Sequence, residues 1–222
     1  MTAGIHMHRV LAWLVGTPGV AYHPLETLDE RARTLAELSV ILAEVGSDHA
    51  VIGGIAVGYH GRLRATVDVD MLVPRGKLGS LAHALRSRGY VVVQTQDMVR
   101  VYPPAADPDQ AESIADLVAR EANPVLEAAA RVAEPATVLG HQVRIVPRGA
   151  LVALKFHAAI SLRRAIEDRY QDVADIGRII AKRFEPGDEQ LALQIAAHAY
   201  PGAEAELAKL LDDLRHGRSV KI

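Results

Sequence analysis

Apolar residues at Leu28, Leu35, Leu38, Ile41, Leu42 and Val45 recur at helical spacing and mark one core face. They predict a helix over 25–45, opened by Thr27 or Asp29 and broken at Gly46-Ser47-Asp48. The pattern then shortens. Ala50-Val51-Ile52 predicts a strand, 54–61 a short helix, and 67–73 a strand ended by Pro74. A helix over 77–87 is closed by Gly89, and strands follow at 90–93 and 98–102. Residues 103–110, with paired prolines, predict a loop, and Ile114 to Val118 a further strand. A helix over 123–132 and a hairpin turning at Gly140-His141 come next. From Arg148 onward the pattern is helical, interrupted at Glu185-Pro186-Gly187 and Tyr200-Pro201-Gly202.

Strands in the middle and helices at the end indicate an α+β fold: a mixed β-sheet with flanking helices, followed by a C-terminal helical bundle. The expected division is an N-terminal extension at 1–23, an α+β domain at 24–147 and a helical subdomain at 148–222. The first six residues read either as appended sequence or as lying upstream of a start at Met7.

The stretch richest in chemistry is VIGGIAVGYHGRLRATVDVDMLV, from Val51 to Val73. On a strand, side chains alternate between faces, so Asp68 and Asp70 are expected to point the same way. Two adjacent carboxylates repel each other unless a cation lies between them, and hard oxygen ligands suit Mg²⁺. The alternative is a solvated edge strand with outward-facing acids. Asp116 sits in the apolar run Ile114-Ala115-Asp116-Leu117-Val118, where a half-buried carboxylate needs a partner, either a metal or an arginine.

Gly-Gly, a helix, and then Arg64-x-Thr66-x-Asp68-x-Asp70 resemble the nucleotidyltransferase superfamily with the polymerase-β-like fold. Later stretches resemble its minimal branch of AbiEii abortive-infection toxin type. These are the Asp116 strand, Val143 to Pro147 followed by Leu151-x-x-Leu154-Lys155, and Gln171-Asp172-x-x-Asp175-Ile176. The family's lysine at the head of the last motif is Gln171 here.

The resemblance implies transfer of a nucleoside monophosphate from an NTP to an acceptor hydroxyl. Asp68, Asp70 and Asp116 would be the catalytic and metal-binding carboxylates, with Mg²⁺ or Mn²⁺ as cofactor. Gly53, Gly54, Arg64, Thr66, Lys155 and Asp172 would bind the nucleotide. It further implies a tRNA 3′ end or a protein as acceptor, and a cognate antitoxin as partner. Two other readings stand beside it. One is an aminoglycoside- or lincosamide-type enzyme with a small-molecule acceptor. The other is an inactive fold serving as a binding module.

Each residue also has a structural reading. The glycines suit a tight strand-to-helix turn as well as a phosphate. Arg64 either grips phosphate or pairs with an acid such as Asp68. Lys155, on an apolar helix face, either snorkels to water or reaches phosphate. Asp172 and Asp175 share a helix face and either form an ion-pair ladder with Arg169 and Arg178 or line a nucleotide site. His60 is expected on a helix surface. Tyr59 and Tyr102 are candidates to stack on one base.

Composition narrows the setting. The 222 residues carry a net charge of −2 and are 50% hydrophobic, so no global basic field marks a non-specific nucleic-acid binder. Arg62, Arg64, Arg163, Arg164, Arg169, Arg178, Lys182 and Arg183 still allow a local basic patch. With no cysteine there is no disulfide, thiolate zinc site or cysteine nucleophile. No apolar run approaches the ~20 residues of a membrane span. The run Val10 to Val15 makes a poor signal peptide, so a cytoplasmic protein is expected.

Overall fold

The computed structural model describes residues 24–61, 66 and 68–220, with side chains from residue 30 onward. The N-terminal extension and Arg64 lie outside the described residues. The helices are α1 (Pro24–Val45), α2 (Gly53–His60), α3 (Leu78–Ser87), α4 (Pro124–Arg131), α5 (Arg148–Ala159), α6 (Ile166–Ile180), α7 (Pro186–Ala196) and α8 (Ala203–Arg215). The strands are β1 (Ala50–Val51), β2 (Val69–Val73), β3 (Val91–Gln94), β4 (Met98–Tyr102), β5 (Ala115–Ala119), β6 (Glu134–Val138) and β7 (His141–Ile145).

The described strands form one mixed sheet in the order β3-β4-β5-β2-β1-β7-β6. β2 runs parallel to β5, and β1 parallel to β7; the other pairs are antiparallel. Period-two alternation explains the central strands. Met71, Leu117 and Val99 share one cross-strand row and are all fully buried. Each such side chain contributes about 1.5–3 kcal/mol of hydrophobic stabilisation. The neighbouring row, on the opposite face of the pleat, is polar.

Helices α1 and α3 pack on one another and against the sheet. Helices α6 and α7 pack on α5, and α8 packs on α7; Ala150, Leu151, Val152, Ala153, Leu154 and Phe156 of α5 are all buried. A helix apolar on nearly every side needs neighbours all round. Leu35 of α1 and Leu211 of α8 belong to the same continuous core. Asn123 caps α4: its side chain accepts from the Val125 and Leu126 amides, and Pro124 stands in the first turn.

Three local expectations change. Regular β2 starts at Val69, so Asp68 lies in a bend just ahead of the strand. There its carboxylate takes the Thr66 hydroxyl, a local bond that competes with ladder pairing. The β6–β7 turn is centred on Leu139-Gly140, both at positive φ (49° and 83°), rather than on Gly140-His141. Two positive φ values in succession match the twist of a two-residue hairpin. The helical tail also breaks between Ala159 and Ile166, where no Pro or Gly signals it. Arg169 Nε donates to the Ala159 carbonyl at 2.7 Å and satisfies that helix end from a distance.

Candidate active site

The Gly-Gly pair and the Thr-x-Asp-x-Asp stretch interlock. The Ile52 amide donates to the Asp70 carbonyl at 3.0 Å, which brings β2 alongside the start of α2. Gly53 has φ +61°, and a Cβ there would lie 1.7 Å from Asp70 Oδ2. A Cβ on Gly54 would lie 2.4 Å from Thr66 Oγ1. The room left by two missing side chains is thus filled by two candidate site residues. Thr66 Oγ1 in turn donates to Asp68 Oδ1 at 2.9 Å. Glycine is required by close approach at both positions and by backbone conformation at the first.

On the sheet, Asp70 of β2 is in register with Asp116 of the adjacent parallel β5. Neighbouring strands lie about 4.8 Å apart, so the two carboxylates stand side by side on one face. Asp116 is also directly opposite Arg100 of β4. The row therefore runs Arg100–Asp116–Asp70 across three strands. Arg100 holds both oxygens of Asp116: Nε to Oδ1 at 2.9 Å and Nη2 to Oδ2 at 2.8 Å. The Asp116 side chain is only 13% exposed, against 41% for Arg100. The hydrogen bonds from Arg100 to Asp116 hold the guanidinium more firmly protonated than usual. Arginine was one of the two partners open to Asp116 from sequence.

A second charged group ties α5 to α6. Lys155 Nζ lies 2.9 Å from both Asp172 Oδ1 and Asp175 Oδ2. Both carboxylates are buried, and Lys155 nearly so. Arg164 reaches Asp172 at 3.2 Å and Arg178 reaches Asp175 at 2.6 Å. Gln171, where the resemblance expects lysine, donates to Asp175 Oδ1 at 3.0 Å. The ladder expected around Asp172 and Asp175 forms with Arg178 but not with Arg169, which turns to the end of α5. Helix α2 packs against both α5 and α6, so it links this group to the Gly-Gly turn.

His60 is buried rather than on the helix surface; its ring nitrogen Nε2 is 2.8 Å from the Val146 carbonyl. Burial pushes its pKa down, partly offset by that hydrogen bond. Tyr59 is exposed, but Tyr102 is buried and offers no open face for a base. Arg100, lying next to Asp116, was not singled out in the sequence. The signal that could have found it was a lone charge in an apolar strand, matching the lone charge of β5.

Among the described residues no three His, Asp or Glu side chains converge closely enough to hold a metal ion as they stand. The donor set nonetheless fits a hard divalent cation. Asp70 and Asp116 are in-register carboxylates, with Asp68 just ahead on the same chain segment. As they stand, Asp116 is held by Arg100 and Asp68 by the Thr66 hydroxyl.

No known family model matches the chain, and no curated protein matches it. Solved structures do. An antigenic nucleotidyltransferase-like protein from Paracoccidioides brasiliensis is 16% identical, over 83% of this chain and 93% of that one, with a TM-score of 0.50. The antibiotic-resistance factor ANT(2'')-Ia in solution is 16% identical, over 84% and 97%, at 0.50. Its crystal structure in complex with adenylyl-2''-tobramycin is 14% identical, over 77% and 99%, also at 0.50. At such identities the likeness is one of fold: the chain has a nucleotidyltransferase-type fold. Among the described residues no helix is long and apolar enough to cross a membrane.

Proposed function

We propose that the protein is a metal-dependent nucleotidyltransferase that moves a nucleoside monophosphate from an NTP to an acceptor hydroxyl. The observation that carries this reading is the in-register pair Asp70–Asp116, set beside a Gly-Gly turn whose open space Asp70 fills. In the reaction an oxygen–phosphorus bond forms at the α-phosphate and pyrophosphate leaves. Such transfers ask the protein mainly for positioning and charge neutralisation. Mg²⁺ or Mn²⁺, when bound, would supply the neutralising charge at the reacting oxygens. Asp68, Asp70 and Asp116 would hold it.

Gly53 and Gly54 would let the α2 backbone approach the triphosphate, whose charge its N-terminus favours. Arg64 and Thr66 would contribute to nucleotide binding, Thr66 also by holding Asp68. Lys155 is engaged by two carboxylates, and reaching phosphate would mean leaving both. We therefore assign Lys155 and Asp172 to bracing α5 on α6 behind the nucleotide site. In this reading residues 24–147 carry the chemistry and 148–222 support it.

The acceptor separates the finer readings. An AbiEii-like toxin would modify a tRNA 3′ end or a protein and would have a cognate antitoxin. A resistance-type enzyme would modify a small molecule. One observation favours an inactive binding module: Asp116 is held on both oxygens by Arg100. The test is incubation with Mg²⁺, each α-labelled NTP and bulk tRNA, beside an Asp68→Ala/Asp70→Ala control. Label on RNA or protein that disappears in the control establishes the transfer and its acceptor. Cation-dependent NTP binding without label points to a small-molecule acceptor. Absence of cation-dependent binding leaves the module.

A further inference from the structure

The row Arg100–Asp116–Asp70 contains two acids and one base, and its geometry assigns Arg100 a role of its own. We propose that Arg100 is a built-in counter-cation that competes with the divalent ion for Asp116 and must let go before that carboxylate can act as a ligand. The inference rests on the metal-dependent reading above.

Asp70 and Asp116 sit at one register on adjacent parallel strands, and Asp116 is mostly buried. Without a metal, a carboxylate so placed needs a positive partner. Arg100 supplies it with a two-point grip on Oδ1 and Oδ2. That is the strongest arrangement a carboxylate can make with a side chain. A metal ion at the same row would do the same neutralising job, and the two positive charges would repel. They are therefore alternatives for the carboxylate.

Arg100 stays 41% exposed while gripping a carboxylate that is 13% exposed. The side chain already borders water, so swinging outward hydrates the guanidinium further in exchange for its hydrogen bonds to Asp116 and Tyr102. The Asp116 backbone is held in place, because β5 is paired on both sides. The mobile partner is thus the arginine. The surface pair Arg131–Glu127, by contrast, joins two residues of one helix.

The test measures Mn²⁺ binding by calorimetry and by the paramagnetic signal of free Mn²⁺, on the full chain, with and without a non-hydrolysable NTP. Arg100→Met is expected to bind Mn²⁺ about tenfold more tightly than the parent protein, since one competing charge-assisted grip is gone. Arg100→Lys, a point charge without the fork, is expected to fall between. The gain must vanish in Arg100→Met/Asp116→Asn. Arg100→Lys also serves if Arg100→Met folds poorly. Equal affinity in parent and both variants, abolished by Asp70→Asn, would overturn the competition while leaving the metal-dependent reading intact. Weaker binding in the variants would also overturn it and make Arg100 a prop of the site. No Mn²⁺ uptake by any protein, even with nucleotide, would overturn the functional reading and this inference together.

Discussion

At the residue scale, the site is defined as much by missing atoms as by present ones. Gly53 and Gly54 are each pressed by a polar side chain of the later motif. Gly53→Ala would thrust a methyl into the Asp70 carboxylate and strain a backbone at φ +61°. The expected outcome is a loss of roughly 2 kcal/mol or more in urea unfolding, together with loss of Mn²⁺ binding. Gly79→Ala makes the control, because nothing lies near its added carbon and it sits within α3. It should leave stability unchanged or raise it by up to about 1 kcal/mol. Equal damage from both substitutions would contradict the interlock. The residue types were legible in the sequence. The contact was not, since each glycine lies 12 or 17 positions before its neighbour in space.

At the element scale, α5 and α6 are joined by charge as well as by apolar packing. Lys155 serves two buried carboxylates, which among the described residues also pair with Arg164 and Arg178. Removing one member of a buried ionic group costs about 3–5 kcal/mol, because the rest stay buried without compensation. Lys155→Met should destabilise toward the lower end of that range, since Arg164 and Arg178 remain. Lys155→Met/Asp172→Leu should recover part of the loss, which a double-mutant cycle in urea would measure. The helical spacing made the Asp172–Asp175 face readable. It could not show that Lys155, on another helix, would insert between them. The strand lengths were likewise readable to within a residue or two. The Leu139-Gly140 turn was misplaced by one residue, because a leucine at positive φ carries no sequence signal.

At the scale of the whole molecule, burial of histidines sets the pH response. His49, His60 and His157 all have pKa values pushed down, in each case chiefly by burial. The unfolded chain binds protons at these sites near the ordinary value of 6.5, whereas the folded chain resists them. Below that pH the unfolded state therefore carries more protons, and folding stability falls. The expected outcome is a urea midpoint that is flat above about pH 7 and declines as pH drops through 6.5 and below. His60→Gln should flatten part of that decline by removing one titrating site. A midpoint that rises on acidification over this window would contradict the assignment.

The sequence by itself determined the α+β class, the Gly-Gly turn, the candidate acidic residues and the helical C-terminal third. These follow from local periodicity and from residue types with few alternative uses. Only the tertiary structure decided that Asp70 and Asp116 share a register, that Arg100 faces them, and that His60 and Tyr102 are buried. Register and burial depend on which distant strands pair and which helices cover them. A strand's own alternation states that its side chains have two faces. Its neighbours in space decide what those faces meet.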